Sequence, residues 1–352
     1  MRGAWRNPWL GKMAATIKDI AKAAGVSVTT VSRALAGYDD VADSTRRRVQ
    51  ETAKELDYRP NLTAQRLRKQ RTDTLGFIIP THSPRFTDPF FSELIAGIGN
   101  EAAANEYDLL VSTHPPDGED EFKAYRRAVS GGWVDGLIVV RTRENDSRVK
   151  ILCQHNFPFV AFGRTDCELD FPYVDEDSAA GTQLLVQHFI NLGHKHIAFI
   201  SPPKGLMFGR YRLKAYYETM RDNGLEVYPN LVVEGDMTQH GGADCTERLL
   251  ALNPSPTAII GGNDLMAIGA INKLQRRGYS VGKNIAVGGF DDIPLAEYVN
   301  PPLTTVRQPI YEIGRTTCAM LIEMINDKPL QKPHIMLTPT LIVRDSSGPP
   351  LL

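Results

Sequence analysis

Apolar side chains recur at helical spacing near the start of the chain and in short unbroken runs further on, which predicts a helical head followed by a β-rich body. Ile17, Ile20, Ala21 and Ala24 share one helix face while Lys18 and Lys22 occupy the other. Gly25 ends this helix and Ser27 is placed to cap a second. On the second, Val28, Val31, Ala34 and Leu35 form the inner stripe, and Thr29, Thr30 and Arg33 share the outer face. Two short helices around a tight turn make a helix-turn-helix pattern, which an ordinary helical hairpin also satisfies. Val41, Val49, Ala53 and Leu56 predict a third helix, starting near Asp43 and Ser44, that closes a small core. A basic segment from Tyr58 to Thr72 then leads into the strand pattern Leu75-Gly76-Phe77-Ile78-Ile79-Pro80.

From Leu75 onward, β-rich runs alternate with helical patterns. The runs are 75–80, 108–113, 135–140 and 157–163, then 197–201, 231–234, 258–262 and 285–290. Such alternation predicts parallel sheets with helices on both faces, and two sets of four predict two doubly wound subdomains. Ligands of such sheets bind beyond the carboxyl ends of the strands, so the cleft between the subdomains is the expected site.

With 352 residues the chain suits a small domain and two middle-sized ones. Charge divides unevenly. Between Ala14 and Asp73 there are 12 Lys and Arg against 8 Asp and Glu, whereas the whole chain has a formal net charge of −1. A basic head on an acidic body fits contact with phosphates at one end only. The four cysteines, Cys153, Cys167, Cys245 and Cys318, are far apart in sequence and form no Cys-x-x-Cys pair, so neither a metal site nor a structural disulfide is expected. The chain contains no run of 18 apolar residues and no apolar secretory segment at its start, which predicts a cytoplasmic protein. Neither a Gly-x-x-x-x-Gly-Lys-Ser/Thr loop, nor a Gly-x-Gly-x-x-Gly after the first strand, nor a Gly-x-Ser-x-Gly elbow occurs, so no enzyme and no cofactor is expected.

Several stretches together resemble the lactose-repressor/galactose-repressor (LacI/GalR) family of bacterial transcription regulators. They are Thr16-Ile-Lys-Asp-Ile-Ala21, Val31-Ser-Arg33, Tyr58-Arg-Pro-Asn61, Leu192-Gly-His-Lys-His-Ile-Ala198, Gly289-Phe-Asp-Asp292 and Pro301-Pro-Leu-Thr-Thr-Val-Arg-Gln-Pro309. The resemblance runs from Thr16 to about Asp345. It implies an all-α helix-turn-helix domain at 14–58, a hinge helix and linker at 59–73, and a periplasmic-binding-protein-like core at 74–345. That core divides into an N-subdomain, about 74–174 plus 305–330, and a C-subdomain, about 175–304 plus 331–345. Residues 1–12 match nothing in the family, whereas Met13 sits where members usually start, so the extension at 1–13 reads as a misassigned start or a disordered arm.

On the head, the resemblance implies that Thr16, Ser27, Val28, Thr29, Thr30, Ser32 and Arg33 contact double-stranded DNA, the second helix lying in the major groove of a roughly palindromic operator bound by a homodimer. In the linker, Asn61 can cap a short helix from Leu62 to Arg68, with Arg66, Arg68, Lys69 and Arg71 available for phosphates. Ala64 is among the expected DNA contacts, and Leu67 matches the family leucine that wedges between base pairs from the minor groove.

On the body, the resemblance and the strand-end positions point to Asp88, Phe90, Phe91, Arg141, Arg164, Asp175, Arg212, Asn263, Asp264 and Asp291 as effector contacts. Phe90 and Phe91 are adjacent and cannot both face one side of a helix; Phe90 is favoured for the ligand. Arg212 falls on the family's ligand-gripping arginine. Asn263 or Asp264 could instead cap the helix starting at Leu265. Acidic acceptors, a few Arg donors and an aromatic platform suit a sugar, with a nucleobase as the rival. The expected protein is a ligand-controlled repressor of carbohydrate uptake or catabolism genes; a sugar-transport receptor would share the body but lack the head.

Overall fold

A reciprocal pair of hydrogen bonds starts the first helix, α1 (Ile17–Ala24). Thr16 Oγ1 accepts from the Asp19 backbone and Asp19 Oδ2 accepts from the Thr16 backbone at 2.8 Å, a capping box. Gly25 ends α1 at φ 64°, where a Cβ would be strained, and Ser27 Oγ caps α2 (Val28–Leu35) by accepting from Thr30 N at 3.0 Å. The third helix, α3 (Asp43–Glu55), follows. Ile20, Ala24, Val31, Ala34, Val41, Val49 and Ala53 fill the space between the three. Two residues expected inside are not. Val28, in the first turn of α2, is 45% exposed and belongs to the outer face, and Leu56 lies just past the end of α3 with 38% exposed.

This computed structural model describes residues 15–58, 71–81, 88–116 and 118–348. The chain divides after Gln70 into two units. The expected hinge helix, with Asn61, Ala64, Leu67 and Arg68, lies outside the described residues.

The second unit alternates strand and helix almost without interruption. Its first half contains β1 (Thr74–Pro80), α4 (Pro89–Ala104), β2 (Asp108–His114), α5 (Glu119–Gly131), β3 (Gly136–Val139), α6 (Ser147–Gln154), β4 (Phe159–Phe162) and β5 (Tyr173–Glu176). Next come α7 (Ser178–Asn191), β6 (Ile197–Ser201), α8 (Met207–Asp222), β7 (Val232–Glu234), α9 (Gln239–Leu250), β8 (Ala258–Gly261), α10 (Asp264–Arg276), β9 (Ala286–Asp291), α11 (Leu295–Tyr298) and β10 (Thr304–Arg307). The chain finishes with α12 (Ile310–Ile325), β11 (His334–Leu337) and β12 (Thr340–Ile342). Two six-stranded sheets result, with orders β2-β1-β3-β4-β5-β11 and β7-β6-β8-β9-β10-β12. The orders are equivalent, and every pairing is parallel except β10 with β12. This is a periplasmic-binding-protein-like pair of doubly wound subdomains.

The first two crossings between subdomains fall within three residues of the expected boundaries, and the third lies further on. A boundary at 174/175 falls inside β5, whose pairing continues through Glu176 opposite Leu337; the first crossing comes at Asp177, which caps α7. All of β10 belongs to the second sheet, so the second crossing follows Arg307 rather than Thr304. The late segment from His334 to Ile342 forms two strands, one in each sheet. Pro339 lies between them, where its missing N–H and fixed φ suit a break in the ladder. Residues 334–337, expected in the C-subdomain, are therefore a strand of the first sheet.

Candidate functional site

Side chains from both subdomains converge on one cavity beyond the carboxyl ends of the strands. Asp88 follows β1 and caps α4, accepting from Phe90 N at 3.1 Å. Arg141 and Thr142 follow β3, Gly163 and Arg164 follow β4, and Asp175 and Glu176 end β5. From the second subdomain come Phe208, Tyr211 and Arg212 of α8, Met237 after β7, Asp291 at the end of β9 and Gln308 after β10. The space between them is about 50 Å³, room for about three or four waters.

The walls are built from guanidinium–carboxylate pairs. Arg141 Nη2 donates to Asp88 Oδ2 at 2.8 Å and Arg164 Nε to Asp175 Oδ2 at 2.7 Å. Arg212, 3% exposed, donates from Nε to Ser178 Oγ at 3.1 Å, from Nη1 to the Gly262 carbonyl at 2.7 Å and from Nη2 to Glu176 Oε1 at 3.1 Å. Its guanidinium carbon lies 3.5 Å from the centroid of the Phe290 ring and 4.7 Å from that of Phe208. Those rings fix the plane of the fork by cation–π attraction. Burial pushes the carboxyls of Asp88, Asp175, Glu176 and Asp291 above the usual range, against the pull of the neighbouring arginines. Arg141 (φ 51°) and Asp291 (φ 122°) hold backbone conformations that L-residues rarely adopt, the kind of strain that collects at ligand sites.

Phe90 forms the aromatic wall, stacked on Phe162 with centroids 6.0 Å apart and planes 16° apart. Phe91 is 1% exposed and packs with Phe77, Leu94 and Ile98 in the core, because consecutive helix residues diverge by about 100°. It supports the site from behind, as the ring beneath Arg141, 4.8 Å away, and edge-on to Phe90 with centroids 5.4 Å apart. Neither Asn263 nor Asp264 lines the cavity. Asn263 caps α10, accepting from Met266 N at 3.0 Å. Asp264, fully buried, accepts from Thr305 Oγ1 at 2.5 Å and Ile293 N at 2.9 Å. Sequence reasoning missed Glu176 and Gln308, together with Thr142, Phe162, Phe208, Tyr211 and Met237. Glu176 was signalled by the acidic run 175–177 at a strand end, and Gln308 by nothing beyond its place in the Arg-Gln-Pro stretch.

A second set of buried charges supports the site from behind. Arg148, wholly buried, grips Asp146 with Nε (2.9 Å) and Nη2 (2.7 Å) and donates to the Arg141 carbonyl at 2.9 Å. Arg143 holds Glu121 bidentately at 2.8 and 2.9 Å. This network sets the 141–146 loop that carries Arg141 into the cleft.

On the head, Thr16 and Ser27 act as helix caps. Val28 and Thr29 are exposed, and Thr30 Oγ1 lies 2.8 Å from Ser27 Oγ. Arg33 is ion-paired with Asp40, Nε donating to Oδ1 at 3.1 Å, and lies over the Tyr38 ring. Arg71, expected at phosphates, is bound to the body, donating to Asn326 Oδ1 at 2.7 Å and the Ile325 carbonyl at 2.6 Å.

A helix-turn-helix head joined to a two-lobed binding body defines a DNA-binding transcriptional regulator that responds to a ligand. Residues 16–61 match the bacterial regulatory proteins of the lacI family, and residues 186–347 match the periplasmic binding protein-like domain. The HTH-type transcriptional repressor CytR of Escherichia coli (strain K12) is 33% identical over 336 residues, 95% of this chain and 96% of its own. The solved transcriptional regulator CelR–cellobiose complex is 30% identical with a TM-score of 0.74, over 94% of this chain and 99% of that one. The lac repressor dimer bound to operator and the anti-inducer ONPF is 27% identical with a TM-score of 0.83, over 96% and 100%. The chain belongs to the lacI family of bacterial regulatory proteins.

Proposed function

We propose that the chain is a homodimeric repressor of carbohydrate uptake or catabolism genes that releases or grips a roughly palindromic operator according to whether a sugar occupies the cleft. The observation that carries this reading is the cavity itself: an aromatic wall, Phe90 on Phe162, set beside three guanidinium–carboxylate pairs. A ring face covers the C–H surface of a sugar, and fixed carboxylates and guanidiniums hydrogen-bond its hydroxyls. The cellobiose held by CelR and the operator held by the lac repressor dimer support both halves of the reading. In this reading Val28, Thr29, Thr30 and Arg33 face base edges, Arg33 exchanging Asp40 for guanine or phosphate, while the hinge residues Asn61, Ala64, Leu67 and Arg68 contact the DNA, Leu67 from the minor groove and Arg68 at phosphates. The head then covers 14–58 and the hinge 59–73.

The test is a thermal-shift screen of sugars, sugar phosphates and nucleosides, since a ligand of the folded cleft raises the melting temperature. A sugar that stabilises the chain and alters its operator affinity is the expected result; stabilisation by nucleosides alone overturns the sugar assignment. Operator binding should also fall by roughly a thousandfold or more between about 50 and 200 mM salt, as phosphate contacts release counterions. A flat salt response would remove the DNA half.

A further inference from the structure

The charges at the back of the cavity form one connected chain. Glu176 Oε1 takes Arg212 Nη2 at 3.1 Å, Arg212 Nη1 lies 3.8 Å from Asp291 Oδ1, and that oxygen accepts from Gln308 Nε2 at 2.6 Å. The chain starts at the end of β5, next to the first crossing between subdomains, and finishes just past β10, at the second. Both of its ends are open. Glu176 Oε2 and Gln308 Oε1 are buried without a hydrogen-bond partner among the described residues, on side chains 1% and 4% exposed that line the cavity. Buried polar atoms left unpaired are few and costly, and each of these two oxygens is an acceptor.

The charge balance points the same way. Four carboxylates (Asp88, Asp175, Glu176 and Asp291) face the cavity against three guanidiniums (Arg141, Arg164 and Arg212), and each guanidinium already faces a carboxylate. Even with one carboxyl protonated, no positive charge is left over for an anionic group.

We propose that Glu176 and Gln308 are the two anchoring acceptors of the effector, which presents a hydroxyl or amine donor to each and bears no phosphate or carboxylate. Each acceptor stands beside a crossing between the subdomains, Glu176 just before the first and Gln308 just past β10, so one ligand satisfying both braces the two crossing segments against each other. The inference takes its location from the cleft reading above and narrows the ligand to neutral, donor-rich compounds.

Isothermal titration of the full-length protein tests it, with neutral mono- and disaccharides, nucleosides, and the 6-phosphates and uronic acids of the same sugars. A neutral compound should bind and its phosphate or acid should not. Glu176→Gln, which turns an amide donor toward the cavity, should weaken the best neutral ligand by roughly 10- to 100-fold, and Gln308→Ala by about tenfold. A deoxy analogue lacking the donor that meets Glu176 should lose affinity for the wild type but little more for Glu176→Gln, the signature of a direct pair. Circular dichroism melts confirm that each variant folds; should Glu176→Gln fail to, Gln308→Ala carries the test. A sugar whose affinity ignores both substitutions, or whose phosphate binds equally well, overturns this inference and leaves the sugar reading intact. Nucleosides alone, binding through Glu176, overturn the sugar reading and uphold this one. If nothing neutral binds, both fall.

Discussion

Asp264 shows what a buried charge costs when it is not at the ligand. It is fully buried, and the absence of solvent pushes its carboxyl up to about 7, with the hydroxyl of Thr305 and the amide of Ile293 pulling the other way. A carboxyl whose folded pKa is raised binds its proton more tightly in the folded state. Its contribution to stability is therefore complete below the ordinary value of 3.8 and is lost as pH climbs to about 7. The body should lose stability over that window, and Asp264→Asn should flatten the loss by on the order of a few kcal/mol, read from denaturant melts at pH 5 and 7.5. An equal slope in the variant would show that the carboxyl is ionised in the fold throughout. In sequence, Asn263 and Asp264 look like ligand residues because they follow a strand end, as Asp88, Arg141, Arg164, Asp175 and Asp291 do. The difference is in the third dimension: Asn263 turns back to its own helix and Asp264 inward to β10, partners that lie 41 residues apart or are set by helix capping. Gly289 leaves the room for this, since a Cβ there would lie 2.2 Å from Asp264 Oδ1.

At the scale of elements, close packing of helices depends on positions that hydrophobic periodicity does not report. Helices α4 and α12 cross at Gly97 and Gly314; a Cβ on Gly97 would lie 2.2 Å from the Tyr311 carbonyl oxygen and one on Gly314 2.4 Å from that of Leu94. Backbone cannot yield as a side-chain tip does, so Gly97→Ala should push the helices apart and cost about 2 kcal/mol or more, measured as a shift in the urea midpoint. The strands themselves were legible where an apolar run is buried on both faces, as in β1, β6 and β9. Strands β5 and β11 were harder, because Tyr173-Val-Asp-Glu176 and His334-Ile-Met-Leu337 carry polar residues and pair with each other only after a separation of 161 positions. A related anchor joins the start of the body to β3: the Asp135 carboxylate accepts from Thr72 N at 2.7 Å, Thr72 Oγ1 at 2.9 Å and Asp73 N at 2.7 Å. These bonds, with those of Arg71, fix where the linker leaves the sheet. Asp135→Ala should leave ligand affinity in place yet weaken operator binding several-fold in fluorescence anisotropy, because the linker then starts from a looser point. Unchanged operator affinity would mean that the anchor serves the body alone.

For the whole molecule, the decisive contacts are those that cross the cleft at its rim. The 142–144 loop of the first subdomain pairs with 205–207 of the second through Met207 N to Thr142 O at 3.0 Å and Glu144 N to Gly205 O at 3.3 Å, an antiparallel bridge centred on Arg143 and Leu206. Arg210 adds an ion pair with Glu144 and another with Asp166 at 3.3 Å, and Arg164 lies 4.6 Å from the Tyr211 ring centroid. These contacts join the two subdomains across the cleft, so a ligand that favours the same closed arrangement and these contacts must reinforce one another. Arg210 is half exposed, and solvent limits what its ion pairs contribute. Arg210→Ala should therefore lower ligand affinity by no more than about fivefold, the backbone bridge still holding the rim. Linkage fixes a second consequence. If closure alters the grip on DNA, the variant must shift free-protein operator affinity in the direction opposite to that in which ligand shifts it. Anisotropy titrations with and without ligand, on wild type and variant, separate the cases. Opposed shifts place closure on the route from cleft to operator, whereas a variant that changes ligand affinity and leaves operator binding untouched confines the rim contacts to holding the ligand.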